Sequence, residues 1–95
     1  LPAGTRWRFS GRMLRLGAVE EDNDVVVDLP QVSGRHAAFE LFPSGAVFVE
    51  DLASANGTYV DGRRLDPGER GQIQPGQRVD LSAQLAVVVR NGGRA

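Results

Sequence analysis

Three groups of side chains in this sequence have the types and spacing to do chemistry. Ser33 and His36 stand three residues apart in Val32-Ser33-Gly34-Arg35-His36, and a second polar stretch, Ser54-Ala55-Asn56-Gly57, follows. Glu20-Glu21-Asp22-Asn23-Asp24 gathers four carboxylates in five positions. Ser33, His36 and Asp51 can be drawn on paper as nucleophile, base and orienting acid. Such a triad is defined by geometry, however, and a serine this close to a histidine in a loop more often makes a local hydrogen bond. A metal site needs several donors, which one histidine and no cysteine do not supply. The acidic run offers oxygens to a hard cation, but its spacing fits no calcium loop and reads as a solvated turn.

What remains is equipment for hydrogen bonding. The Ser33 hydroxyl can donate to an oxyanion, and the Asn56 amide has donors and an acceptor suited to a peptide backbone. Gly57 permits a positive φ that a side chain resists. Taken singly, each is equally an ordinary turn residue. The sequence assigns no catalytic residue, no metal ligand and no cofactor.

The elements that must position these loops are short strands. Arg6-Trp7-Arg8-Phe9 alternates charged and aromatic residues, Ser10-Gly11 signals a turn, and Arg12 to Leu16 alternates imperfectly, so the pair is expected to form a hairpin. Val25-Val26-Val27 is a β-branched run ended by Leu29-Pro30. Ala37 to Phe42, Pro43-Ser44-Gly45 and Ala46 to Asp51 make the clearest hairpin. Asp61-Gly62 is a two-residue turn between Thr58-Tyr59-Val60 and Arg63-Arg64-Leu65. Pro67-Gly68 and Pro75-Gly76 punctuate the next segment, and Arg78 to Ser82 and Leu85 to Arg90 close the domain. No helical periodicity and no internal repeat is present. The pattern predicts an all-β sandwich or barrel. Alternation places Val25, Val27, Phe39, Leu41, Val47, Val49, Val79, Leu81 and Val87 in its core.

The chain has 95 residues, enough for one domain with a core of its own. It is expected to comprise a domain over 1–90 and a linker-like tail over 91–95. It opens at Leu1 and reads as a domain cut from something longer. A net charge of −1 gives no support for nucleic-acid binding. No apolar run approaches the roughly 18 residues of a membrane helix and no signal peptide opens the chain, so the expectation is a cytoplasmic protein without a membrane partner. All eleven basic residues are Arg. Arginine suits bidentate contacts to phosphate or carboxylate, but position rather than count decides whether that matters here.

Taken together the motifs resemble the forkhead-associated (FHA) domain. The resemblance is carried by Leu16-Gly17, Asn23 to Asp28, Val32-Ser33-Gly34-Arg35-His36-Ala37, Asp51-Leu52, Ser54-Ala55-Asn56-Gly57-Thr58-Tyr59-Val60-Asp61-Gly62 and Pro75-Gly76, nearly the whole chain from Arg12 to Arg90. It implies a β-sandwich of about eleven short strands and a non-catalytic module that binds phosphothreonine peptides through loops at one end. By position, Ser33 would donate to the phosphate and Asn56 would hold the peptide backbone. Gly17, His36 and Gly57 would support the site.

The departures from the family pattern fall on the phosphate grip. Ala18 stands where an Arg is usual, Gly34 where Arg, Lys or Asn is usual, and Ala55 where a hydroxyl is common. Losing two hydrogen bonds to a charged group, at about 1.5–3 kcal/mol each, weakens binding by about a hundredfold or more. Of the arginines that could substitute, Arg35 is nearer to Ser33 than Arg15. The expected function is an FHA-type protein-protein interaction module whose phosphothreonine dependence is weak or lost. Two alternatives stay open at this point: a phosphothreonine-peptide binder using Ser33, Arg35 and Asn56, and a structural assembly domain of a larger protein.

Overall fold

The computed structural model describes residues 5–8 and 11–90. Among them lie nine strands and no helix: β1 Met13–Gly17, β2 Val25–Val26, β3 Ala37–Leu41, β4 Val47–Asp51, β5 Tyr59–Val60, β6 Arg63–Arg64, β7 Arg70–Ile73, β8 Arg78–Ser82 and β9 Leu85–Val88. They form a five-stranded sheet in the order β2-β1-β3-β4-β7 and a four-stranded sheet in the order β6-β5-β8-β9. The all-β expectation holds, with fewer strands described than eleven.

The β3–β4 hairpin pairs Ala37 with Asp51 and Leu41 with Val47, around the turn at Phe42–Ala46. Alternation decides its inner face: Phe39, Val47 and Val49 are buried, while Glu40, Phe48 and Glu50 face outward, half-buried. The same period carries Asp51 inward behind Val47 and Val49, to 1% exposure. Asp61 and Gly62 both have positive φ, 46° and 87°, the geometry a two-residue turn requires between right-twisted strands.

Two expectations are corrected. Arg6 to Arg8 lie in no strand, and Phe9 and Ser10 lie outside the described residues. Met13–Gly17 pairs with β3 from Met13 to Leu16 and with β2, in parallel, at Leu16 and Gly17 only. At Arg15 the N–H donates to Asp24 Oδ2 at 2.7 Å and the carbonyl accepts from the Asp24 N–H at 2.8 Å. β7 was not anticipated, because Arg70-Gly71-Gln72-Ile73 has a single large apolar residue. It pairs with β4, and Ile73 is buried beside Val47.

The core lies between the sheets. Val25, Val27, Phe39, Val47, Val49, Val79 and Leu81 are in it as expected, with Leu14, Leu16, Val32, Leu65 and Ile73 besides. Leu41 and Val87 pack against it half-buried. Among the described residues no helix is long and apolar enough to cross a membrane.

Candidate functional site

Strand direction brings three loops to one end of the five-stranded sheet. β1 ends at Gly17 beside the start of β3, and β3 starts opposite the end of β4, with Leu16 paired to Ala37 and Ala37 to Asp51. The connections 18–24, 27–36 and 52–58 therefore leave the sheet together. Each is tied to its neighbours by named polar atoms.

The first two loops are joined at Gly17. A Cβ there would lie 2.0 Å from the Gly34 carbonyl oxygen, so only glycine allows this approach. The Ala18 N–H donates to the Ser33 carbonyl at 2.9 Å. Asn23 Nδ2 donates to two carbonyls, Val19 at 2.8 Å and Gly34 at 2.7 Å. Residues 20–24 are thus more than a solvated acidic turn, because Asn23 is bonded into the neighbouring loop. An amide is the one side chain in that run with permanent donors, and it staples the turn to the Ser33 loop.

His36 lies at the centre of the site, fully buried. Its Nδ1 accepts from the Ser33 N–H at 3.1 Å. That bond places the ring proton on Nε2, which donates to the Gly57 carbonyl at 2.8 Å. The Ser33 Oγ accepts from the Ala55 N–H at 2.9 Å, and Asn56 Nδ2 donates to the Gln31 carbonyl at 3.1 Å. Ser33 and Asn56 thus lie on adjoining loops locked to one another, Ser33 half-buried and Asn56 exposed.

The loop after β4 folds over the buried Asp51 carboxylate. Oδ1 accepts from Ser54 Oγ at 2.5 Å and Thr58 Oγ1 at 2.8 Å, and Oδ2 accepts from the Ser54 N–H at 3.2 Å. The Gly57 N–H donates back to Ser54 Oγ at 3.0 Å. Ser54 and Thr58 are both buried, so the carboxylate is satisfied by hydroxyls and backbone rather than by a cation. Sequence reasoning gave Ser54 and Thr58 no role of their own and weighed Asp51 only as a triad acid, though the alternation through Val47 and Val49 points Asp51 inward. The triad drawn from Ser33, His36 and Asp51 is not assembled: Asp51 serves Ser54 and Thr58, and the imidazole serves main-chain groups.

Three of the positions singled out in the sequence have these surroundings. Ala18 is half-buried and packs against the core. Arg35 has its Nη2 on Asp22 Oδ2 at 2.5 Å, in an exposed pair. Asp22 reaches it from the acidic loop, with φ at 64°. Gly34 carries no positive φ, and a Cβ there would meet only Val19 at 3.5 Å. Two depressions adjoin the loops, one lined by Arg15, Asp22, Asn23, Arg35 and Leu52. The other lies beside Asn56 and Gln31 and includes Tyr59, Arg78, Asp80 and Ser82.

A two-sheet sandwich presenting interlocked polar loops at one end is a recognition module. Residues 10–82 match the profile of the FHA domain, and the chain belongs to that family of phosphopeptide-binding, protein-interaction modules. A protein phosphatase 1 regulatory inhibitor subunit PPP1R8 homolog of Arabidopsis thaliana is 34% identical over 75% of this chain and 19% of its own length. Protein FraH of Nostoc sp. is 42% identical over 53% of this chain and 17% of its own length. The chain spans about a fifth of the curated relatives it matches. The crystal structure of the FHA domain of CT664 protein from Chlamydia trachomatis superposes with a TM-score of 0.77 at 28% identity, covering 86% of this chain and 80% of that one.

Proposed function

We propose that this chain is a non-catalytic FHA module that docks a protein segment across Ser33, Arg35 and Asn56 and discriminates only slightly between phosphothreonine and threonine. Gly17, His36 and Gly57 support the docking loops from behind. The observation that carries this reading is the Arg35–Asp22 pair. The one arginine next to Ser33 already has a carboxylate on it, and Ala18 and Gly34 add no cation. An incoming phosphate would have to displace Asp22 and settle beside Glu20, Glu21 and Asp24, whose charge opposes it. Ser33 and Asn56 are indifferent to that charge balance, since a hydroxyl and an amide serve neutral partners equally well.

A second reading keeps phosphothreonine as the ligand, with Arg35 leaving Asp22 to meet it. It draws support from exposure: an ion pair with both side chains more than 60% exposed is worth only about 0–1 kcal/mol. A dianion that also gains the Ser33 hydroxyl could compete with it.

One experiment separates the two. A phosphothreonine peptide library is measured against its unphosphorylated twin at fixed salt. The first reading expects affinities within about tenfold of each other, that is 1.4 kcal/mol. A large preference for the phosphorylated set, abolished by Arg35→Ala, selects the second.

A further inference from the structure

The Asn56-Gly57 pair carries a chemistry of its own, independent of what the loop binds. Asparagine followed by glycine is the pair most open to intramolecular deamidation, because glycine puts no side chain in the way of the attacking main-chain nitrogen. The Gly57 nitrogen loses its proton and attacks Asn56 Cγ, forming an N–Cγ bond. The Cγ–Nδ2 bond breaks and Nδ2 leaves as ammonia, taking a proton from solvent. Water then opens the succinimide at either carbonyl, leaving aspartate or isoaspartate at position 56. Only water is consumed, because the base that takes the Gly57 proton is restored when the departing ammonia gains one.

We propose that Asn56-Gly57 is a latent deamidation site that the Asp51–Ser54 pair holds unreactive while the loop is folded. Asn56 itself is exposed, so shielding of the amide from water does not protect it. The protection lies on the nucleophile. The Gly57 N–H, buried, is donated to Ser54 Oγ at 3.0 Å, which removes both the proton a base must reach and the freedom the nitrogen needs. Ser54 Oγ cannot turn away, because its own proton is on the buried Asp51 carboxylate at 2.5 Å. The electrophile is held as well, by Asn56 Nδ2 on the Gln31 carbonyl at 3.1 Å. Gly57 is fixed further by His36 on its carbonyl oxygen at 2.8 Å.

The consequence is a one-way loss of the interlocked loops once the segment opens. A carboxylate at position 56 has no N–H for the Gln31 carbonyl. An isoaspartyl link adds a carbon to the main chain and moves the Gly57 carbonyl off His36. Each product removes a bond that had kept the segment closed.

The sequence holds a second Asn-Gly pair, Asn91-Gly92, which serves as an internal reference. The whole chain is incubated at mildly alkaline pH, folded and in concentrated guanidinium. Aspartate and isoaspartate are then quantified at each pair by peptide mapping. In guanidinium the two pairs should react at similar rates. Folded, Asn56 should react at least about tenfold more slowly than in guanidinium, the factor given by 1.4 kcal/mol. Ser54→Ala, shown folded by circular dichroism, should raise the folded rate several-fold. Hydrogen exchange at the Gly57 amide of the unaltered chain should be slow, a measurement that needs no variant. Equal folded and denatured rates at Asn56 overturn the proposal. So does a low Asn56 rate in guanidinium, which would assign the effect to sequence, or fast exchange at Gly57. A folded Ser54→Ala variant with an unchanged rate overturns the role given to Ser54.

Discussion

His36 Nε2 donates to the carbonyl oxygen of Gly57 across 2.8 Å of the protein interior, joining two loops that are 21 residues apart in the chain. The opposite ring nitrogen accepts from the Ser33 N–H, so one buried neutral imidazole sets the distance between the loop that carries Ser33 and the loop that carries Asn56. Both ring nitrogens are thereby engaged by main-chain groups of the two loops.

Removal of that spacer should be costly. His36→Ala leaves the Ser33 N–H and the Gly57 carbonyl without partners and opens a cavity at a fully buried position. The expected loss is about 3 kcal/mol, read as a lower denaturant midpoint at unchanged m-value. An unchanged melting temperature would show that the ring does not hold the loops.

Gly17 and Gly34 should respond unequally to the same substitution, although they face each other. Gly17→Ala drives a methyl group against the Gly34 carbonyl and should cost about 1–3 kcal/mol, the range for overpacking. Gly34→Ala meets only Val19 at ordinary contact distance and should stay within about 0.5 kcal/mol of the parent. Urea titration of the two variants side by side checks the contrast, and equal effects would contradict it.

Asp51→Asn tests the buried network without changing its shape. The amide cannot accept from both Ser54 groups and Thr58, so one donor is left facing a donor. About 2–3 kcal/mol should be lost, as for hydrogen bonds to a charged group. A variant as stable as the parent would mean that the network is not the loop's anchor.

On the proposed docking surface, Asn56→Ala should weaken a bound partner by about tenfold or more whether or not the partner is phosphorylated, as truncation at a central polar contact does. Titration calorimetry with one peptide in both forms measures it. Chemical-shift mapping that leaves Ser33, Arg35 and Asn56 undisturbed by the partner would place docking elsewhere.

A phosphate preference should be installable. Ala18→Arg with Gly34→Arg adds charge-assisted, bidentate-capable donors beside Ser33. A Cβ at Gly34 meets only Val19 at ordinary contact distance, whereas Ala18 packs on the core and its replacement must turn outward. The doubly changed domain should prefer phosphothreonine over threonine more than the parent does, and the gain should shrink as salt is raised. Tight phosphopeptide binding by the parent, lost on Arg35→Ala, would instead assign the grip to Arg35.

Much of this protein was legible in its sequence because the relevant signals are local. Period-two alternation placed Phe39, Val47 and Val49 inside, and Asp61-Gly62 marked a turn that needs two positive φ values. The combined motifs around Ser33, His36 and Asn56 identified the family. Partners of polar atoms are not local, and only the tertiary structure decided them. Arg35 meets Asp22, Asn56 meets Gln31, and Asn23 meets Gly34 because strand direction delivers three loops to one end of a sheet. Residues 6–8 alternate like a strand yet lie in none, while Arg15 spends both its N–H and its carbonyl on Asp24. β7 has one large apolar side chain to announce it and is a strand because the edge of β4 was free to pair. Backbone pairing is satisfied by whichever segment the fold brings alongside, and a sequence read one window at a time does not contain that neighbour.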